Sequence, residues 1–432
     1  MDIPVELLTG IFQNLPAPDL AALALTSTSL RNIVQPLLYR HVRVSDDAAA
    51  EEFHRYRTFG PNFDASVPID VPTSFKSFYR TIMSLPHLGS IVRSLEITED
   101  YQAMSVADIK TLLLAMPRLS RLTLHCGEIE DIEECSIAIS PHLNEFTSCS
   151  VEIGASFFRF LDSHPEITTW RYGVMVDTLP HLHIPDVSVG ALSRLRTYET
   201  ATLHPPLEHI RMVSCMTSLT RLSIRYNCLG DFLSRENPAV LRSFEDMFLR
   251  CGTNLTILSL YGPSLNNNDS PLPWILNKIL RHTPVLRHLN LTHVQRTGTI
   301  RTQVQYDPIE TMDPDMFKDT SLPPSLEILT WELRLVPFPC PFKIVRMSEI
   351  DDLSAAGLAN AKLLFSIIPS LATLVYAEED LFHVFRRARD GDVTYAGKDT
   401  VREWYDPWWV QAVFDSRYVL FISDYVAELP NS

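Results

Sequence analysis

His181 and His183 stand one residue apart with Asp186 just beyond, a spacing that could give a metal ion two imidazole nitrogens. A catalytic zinc needs three protein ligands and a structural one four, and no third ligand follows at a fixed spacing. Asp390-Gly391-Asp392 begins like a calcium loop but lacks its later oxygen ligands; it reads as a turn between a basic helix end and a strand. The chain has no glycine-rich phosphate loop, no Gly-x-Ser-x-Gly elbow and no His-Glu-x-x-His helix. Seven cysteines (126, 135, 149, 215, 228, 251 and 340) include no Cys-x-x-Cys pair, and an odd, scattered set is expected to be reduced, buried thiols. Asn254 and Asn290 open glycosylation-type triplets, but both fall inside the repeating phrase described below. No catalytic constellation emerges, and no cofactor or metal is implied.

Bulk properties point the same way. The 432 residues are 46% apolar and 21% charged, ordinary globular material for two or three domains or for one domain plus a repeat array. A net charge of −15 opposes nucleic-acid binding, which needs a basic surface to displace phosphate counterions. Residues 1–44 carry three acids and three bases, so the whole negative excess lies beyond them. An acidic surface is soluble and could also attract a basic partner. Acids stand at Asp2 and Glu6 where a secretory signal would have bases, and no apolar run approaches membrane-spanning length. The expected setting is cytoplasm or nucleus, and the expected work is recognition, not catalysis.

What remains is how the chain would position a recognition surface. Leu7, Leu8, Ile11, Phe12 and Leu15 recur at helical spacing. Pro16 and Pro18 should stop that helix, Asp19 should cap the next over Leu20 to Leu25, and Leu30, Ile33, Val34, Leu37 and Leu38 supply a third apolar face, with Pro36 ending regular helix. Three short helices in about forty residues carry more large apolar side chains than they can hide among themselves. At roughly 1.5–3 kcal/mol per buried large side chain, the surplus favours docking on a second protein.

The phrase Ile3-Pro4-x-Glu6-Leu7-Leu8-x-x-Ile11-Phe12-x-x-Leu15, followed by Asp19-Leu20-x-x-Leu23, resembles the F-box motif. The ending Leu30-Arg31-x-x-Val34-x-Pro36-Leu37-Leu38-Tyr39-Arg40-x-Val42 is similar to one common in fungal F-box proteins. The resemblance implies a Skp-type adaptor as partner and, through it, the cullin of a ubiquitin ligase. The positions matching the adaptor-facing residues are Pro4, Leu7, Leu8, Ile11, Phe12, Leu15, Leu20 and Leu23; some of these must instead be internal core.

Beyond residue 85 a second phrase recurs: apolar, two free, apolar, one free, apolar. Its ten copies start at Val92, Leu119, Leu143, Ile167, Leu195, Leu219, Leu255, Leu286, Leu326 and Leu371. Early intervals of 24 to 28 residues fit a repeat period of roughly 20–29, and the later ones, 31 to 45, imply inserted loops. Helix-like stretches precede most copies, among them Ile109 to Pro117, Leu241 to Gly252, Trp274 to Pro284 and Leu363 to Pro369. This resembles leucine-rich repeats in a degenerate form, with the turn asparagine kept only at Asn227. The expected fold is therefore α/β: a three-helix F-box at 1–44, a linker and first helix at 45–85, a solenoid at 86–380 with its parallel sheet inside and helices outside, and a C-terminal cap at 381–432.

If the phrase's apolar residues point inward, the free residue before the last one lies on the open sheet face. That column reads Glu96, Thr123, Thr147, Arg171, Glu199, Ser223, Ser259, Asn290, Thr330 and Val375. It is a candidate surface for a protein target, with Arg171 and Glu199 able to pair on adjacent rungs. Residues 294–325 form a polar insertion, either functional or disordered. Trp404, Trp408 and Trp409 could be a binding hot spot or part of the cap. The function expected is target recognition for a cullin-RING ligase; a scaffold working outside any ligase, and an enzyme with a dispersed site, are the rivals.

Overall fold

A computed structural model of the chain describes residues 5–45 (Asn14 and Pro16 excepted), 74–98, 105–124, 138–149, 154–173, 189–202, 207–226, 238–263, 275–296, 317–318, 322–336, 353–378 and 381–399. The chain forms two compact units, Met1–Leu195 and Arg196–Ser432.

The first unit opens with α1 (Val5–Phe12), α2 (Ala17–Thr26) and α3 (Thr28–Arg40). Two local expectations are corrected. Helix α2 starts before Pro18 and Asp19, so Asp19 is not its cap. Proline is tolerated in a first turn, whose N–H groups lack partners anyway, and the Asp19 carboxylate suits that positive end. Helix α3 also runs through Pro36 instead of ending there. Asn32 and Pro36 are both exposed, so water can serve the carbonyl that the proline leaves without a donor. Ser27 caps α3, its hydroxyl accepting from the Leu30 N–H at 3.1 Å. Phe12, Leu20 and Val34 form the small core, with Leu8, Leu15, Leu23, Leu30, Ile33, Leu37 and Leu38 packed around it.

Strand β1 (His41–Ser45) follows α3 without a loop and pairs in parallel with β2 (Ser94–Thr98), Val42 opposite Leu95 and Val44 opposite Ile97. Thus Tyr39-x-x-Val42-x-Val44 is itself a copy of the repeat phrase, and the first rung is built from the tail of the helical module. Helices α4 (Ser74–Ser84) and α5 (Pro86–Gly89) lead into β2, and α6 (Val106–Leu114) leads into β3 (Arg121–Leu124). A reciprocal box of Ser105 and Asp108 caps α6. Then follow β4 (Glu145–Cys149), α7 (Ala155–Ser163), β5 (Thr169–Gly173) and α8 (Val189–Ser193).

From β1 to β5 the strands are parallel and adjacent in chain order, with Leu95, Leu122, Phe146 and Trp170 in one buried row. Helix α7 seals that row with aromatics: Phe157 stacks 4.6 Å from Trp170 and Phe160 lies 5.0 Å from Phe146.

The second unit repeats the pattern with β6 (Thr197–Thr202), α9 (Leu207–Ser214), β7 (Arg221–Tyr226), α10 (Pro238–Cys251), β8 (Ile257–Pro263), β9 (His288–Arg296), β10 (Ile328–Val336), α11 (Leu353–Ile367) and β11 (Thr373–Glu378). A π turn and a 3-10 turn over Ile275–His282 stand in for a helix before β9. Tyr198, Leu222, Leu258, Leu289, Leu329 and Leu374 face one another across six parallel strands, all buried. The phrase's first residue makes a tight turn: its N–H reaches the carbonyl three back, as Leu219 to Met216 (3.3 Å) and Leu371 to Ile368 (3.1 Å). Helix–turn–strand repeats of the leucine-rich kind, parallel strands inside and helices outside, are therefore the fold of the repeat region.

Strands β9 and β10 each run nine residues, so the inserted segment begins after Arg296, not at 294. Residues 297–316 and 319–321 lie outside the described residues, as do Asn227, the His181–Asp186 fragment and the tryptophans beyond residue 400. The stretch before Asp390 is also corrected. It is a strand, β12 (Leu381–Arg387), antiparallel to β11 and to β13 (Val393–Asp399). Gly391, at φ +91°, closes the hairpin turn, which the Asp390 side chain supports by accepting from the Asp392 N–H at 3.1 Å.

Candidate protein-docking surfaces

The apolar side chains of the helical module divide cleanly. Phe12 and Leu20 are buried, and Leu8, Leu15 and Leu23 are half-buried against them. Leu7 and Ile11, one turn apart on α1, are 61% and 55% exposed. Val5 on the same helix and Leu25 on α2 are also exposed, and neither stood out in the sequence as an outward-facing position. Pro4 lies outside the described residues. The backbone beneath is tied down: the Arg31 Nε donates to the Ala24 carbonyl at 3.1 Å, linking the end of α2 to α3. The module therefore holds a firm frame and presents large apolar groups to water, as the surplus in its sequence requires.

The polar sheet column does not form one solvated face. Glu96, Thr123 and Arg171 are half-buried, whereas Thr147, Glu199, Ser223, Ser259, Asn290, Thr330 and Val375 are buried. Several members pair with residues at the starts of neighbouring strands. Arg171 pairs with Glu145 on the neighbouring strand, and the buried Glu199 carboxylate lies 2.8 Å from the Arg221 guanidinium. The Thr330 hydroxyl meets His288 Nε2 at 3.1 Å. Burial, helped by the charge of Arg221, pushes His288 down to about 4, so its ring is neutral near pH 7. Asn290 Oδ1 and Ser223 Oγ are buried polar atoms without a hydrogen-bond partner among the described residues.

The Cys251 thiol, buried, is pushed up to about 12 and stays protonated, the opposite of an activated nucleophile. Among the described residues no cluster of three His, Cys, Asp or Glu could hold a metal ion, and no helix is long and apolar enough to cross a membrane.

Comparison with known proteins bears on the two parts separately. Residues 1–45 match the F-box-like family. The N-terminal module is F-box-like. The match ends at Ser45, the last residue of β1, so the F-box carries the first rung of the repeat sheet as well as the three helices. Among curated proteins nothing matches the chain. Among solved structures, a leucine-rich repeat-containing protein, LegL7 from Legionella pneumophila, aligns at 12% identity over 73% of this chain and 88% of its own, with a TM-score of 0.40. Modules of the F-box kind generally bind Skp-type adaptors, and among the described residues α1 carries three of this module's four exposed large apolar side chains, Val5, Leu7 and Ile11.

Proposed function

We propose that the chain is a non-catalytic substrate receptor of an SCF-type ubiquitin ligase, acting in the cytoplasm or nucleus. The F-box docks on the Skp-type adaptor, which joins it to the cullin, and the repeats hold a protein target. The observation that carries this reading is the pair Leu7 and Ile11, more than half exposed on a helix of a module matched to the F-box. Covering two such side chains, each a little over half exposed, contributes roughly 2–3 kcal/mol, a substantial part of a docking interface. Ubiquitin transfer then depends on proximity: tethering target and charged enzyme to one scaffold raises their effective concentration, with all bond chemistry in other subunits.

The test is co-purification with the adaptor alone and then with the adaptor–cullin assembly. A receptor enters both, whereas a chain found with the adaptor but never with cullin is a scaffold outside the ligase, which would overturn the proposal. Proximity labelling with the intact chain and with Leu7→Glu/Ile11→Glu separates ligase neighbours, lost in the variant, from targets held by the repeats.

A further inference from the structure

The chain's acidity suggests a basic partner, but one place in the first unit reverses the sign. Arg40 ends α3, His41 opens β1, Arg93 precedes β2, and Arg118 and Arg121 flank the start of β3. The sheet draws these into neighbouring rows. The Arg93 N–H donates to the Arg40 carbonyl at 2.9 Å and the Arg121 N–H to the Arg93 carbonyl at 3.0 Å. The Arg93 guanidinium is consumed by the fold, donating from Nη1 to the carbonyls of Ser90 (3.2 Å) and Arg118 (3.3 Å). Arg40, His41, Arg118 and Arg121 are exposed.

Among the described residues these groups lack the carboxylates that neutralise arginines elsewhere. Arg171 has Glu145, Arg221 has Glu199, Arg281 has Glu245 and Arg287 has Glu327. Among the described residues Arg40, Arg118 and Arg121 pair with no carboxylate; Glu145, opposite Arg121 in the sheet register, is engaged by Arg171. In place of an acid, Arg121 Nη2 donates to His41 Nδ1 at 3.2 Å, so the imidazole is held as an acceptor beside a cation. Desolvation first, then the charges of Arg121 and Arg40, lowers the pKa of His41. Cations held this close with no counter-charge among the described residues, on strand starts tied together by backbone hydrogen bonds, are preorganised for an anion: guanidinium forks match carboxylate and phosphate oxygens.

We propose that Arg40, His41, Arg118 and Arg121 bind a short acidic segment of the target protein. The patch stands on its own geometry; that the segment belongs to a ligase target rests on the receptor reading above. Three adjacent strands span roughly 10 Å, the length of about three extended residues, so the ligand is a short acidic stretch, not a long polyanion. A nucleic acid would meet repulsion from the net charge of −15 along most of its length.

The test uses the full-length chain and fluorescence anisotropy at low and at physiological salt. The probes are a labelled glutamate-rich peptide of about ten residues, a Gly/Ser peptide carrying two phosphoserines, its unphosphorylated form, and a short single-stranded DNA. At least one anionic peptide should bind saturably and weaken with salt, and the unphosphorylated peptide should not bind. Whichever of the two binds more tightly identifies carboxylate or phosphate as the natural source. Binding should fall at least tenfold in Arg118→Gln/Arg121→Gln, and also in Arg40→Gln, with melting temperatures unchanged because these side chains are exposed. It should stay within twofold in Arg211→Gln/Arg250→Gln, which removes the same charge from exposed positions in the second unit. Equal loss in both double variants, no saturable binding by either anionic peptide, or DNA binding as tight as peptide overturns the proposal. Adaptor capture by Arg118→Gln/Arg121→Gln, measured separately, should be normal, so failure here is distinct from failure of the F-box reading.

Discussion

His209 shows how one residue's surroundings fix its behaviour. It is wholly buried, its Nε2 2.6 Å from the hydroxyl of the equally buried Tyr198, and desolvation pushes its pKa down to about 4. An unfolded histidine titrates near 6.5, so between pH 6.5 and 4 the unfolded chain binds the extra proton. The stability due to neutral His209 is therefore complete above about pH 6.5 and is lost as pH falls toward 4, by about 1.4 kcal/mol per unit at most. His209→Gln should cost about 1–2 kcal/mol at pH 7, because the Tyr198 hydroxyl loses its ring partner, yet flatten the decline between pH 7 and 5. Urea melts at the two pH values check this; an unchanged slope contradicts it.

Residue-level chemistry was the least legible part of the sequence. His209 and His288 are two of fourteen histidines, His209 outside the repeat phrase and His288 at one of its free positions, and it is burial in the fold, chiefly, that neutralises them. The polar sheet column was readable as a column, because strand alternation is a local rule. Its burial was not, since that depends on what else in the folded chain approaches the sheet.

At the scale of elements, close approach and capping decide stability. A Cβ on Gly89 would sit 2.2 Å from the Ala115 carbonyl oxygen, so α5 and the end of α6 meet only because residue 89 has no side chain. Gly89→Ala should cost roughly 1–3 kcal/mol, whereas Gly190→Ala on α8, with nothing within 4 Å, should be neutral or stabilise by up to about 1 kcal/mol. Thermal melts of both variants check the contrast, and equal effects would refute it.

The end of α11 depends similarly on the hairpin beyond it. Arg387 of β12 donates to the carbonyls of Phe365, Ile368 (3.2 Å) and Pro369 (2.8 Å), its guanidinium 5.3 Å from the Phe365 ring centre. Arg387→Met should loosen this end by about 2 kcal/mol, seen as faster amide exchange in β12 and β13. Exchange unchanged there would contradict the capping role. The ten phrases predicted the strands because the first two apolar positions survive in every copy, although the third is polar at Ser148 and Thr200. Rung β1 escaped because Tyr39-x-x-Val42-x-Val44 overlaps the F-box ending, and β12 because Arg386, Arg387 and Arg389 look like a basic helix end until Gly391 turns the chain back.

At the scale of the whole molecule, an F-box whose apolar face is left open is joined to repeats whose apolar faces are closed by stacking. Exposed leucines also occur on the repeat helices, at Leu114 and Leu249, so exposure alone does not make a docking site. What sets α1 apart is two such side chains one turn apart in a module of the F-box kind. The decisive measurement is the affinity of the full-length chain for a Skp-type adaptor, compared between Leu7→Glu/Ile11→Glu and Leu114→Glu/Leu249→Glu. The first pair should weaken binding about a hundredfold or more, by roughly 3 kcal/mol, and the second should leave it unchanged. Normal binding by the first pair, or equal loss in both, would contradict the central claim.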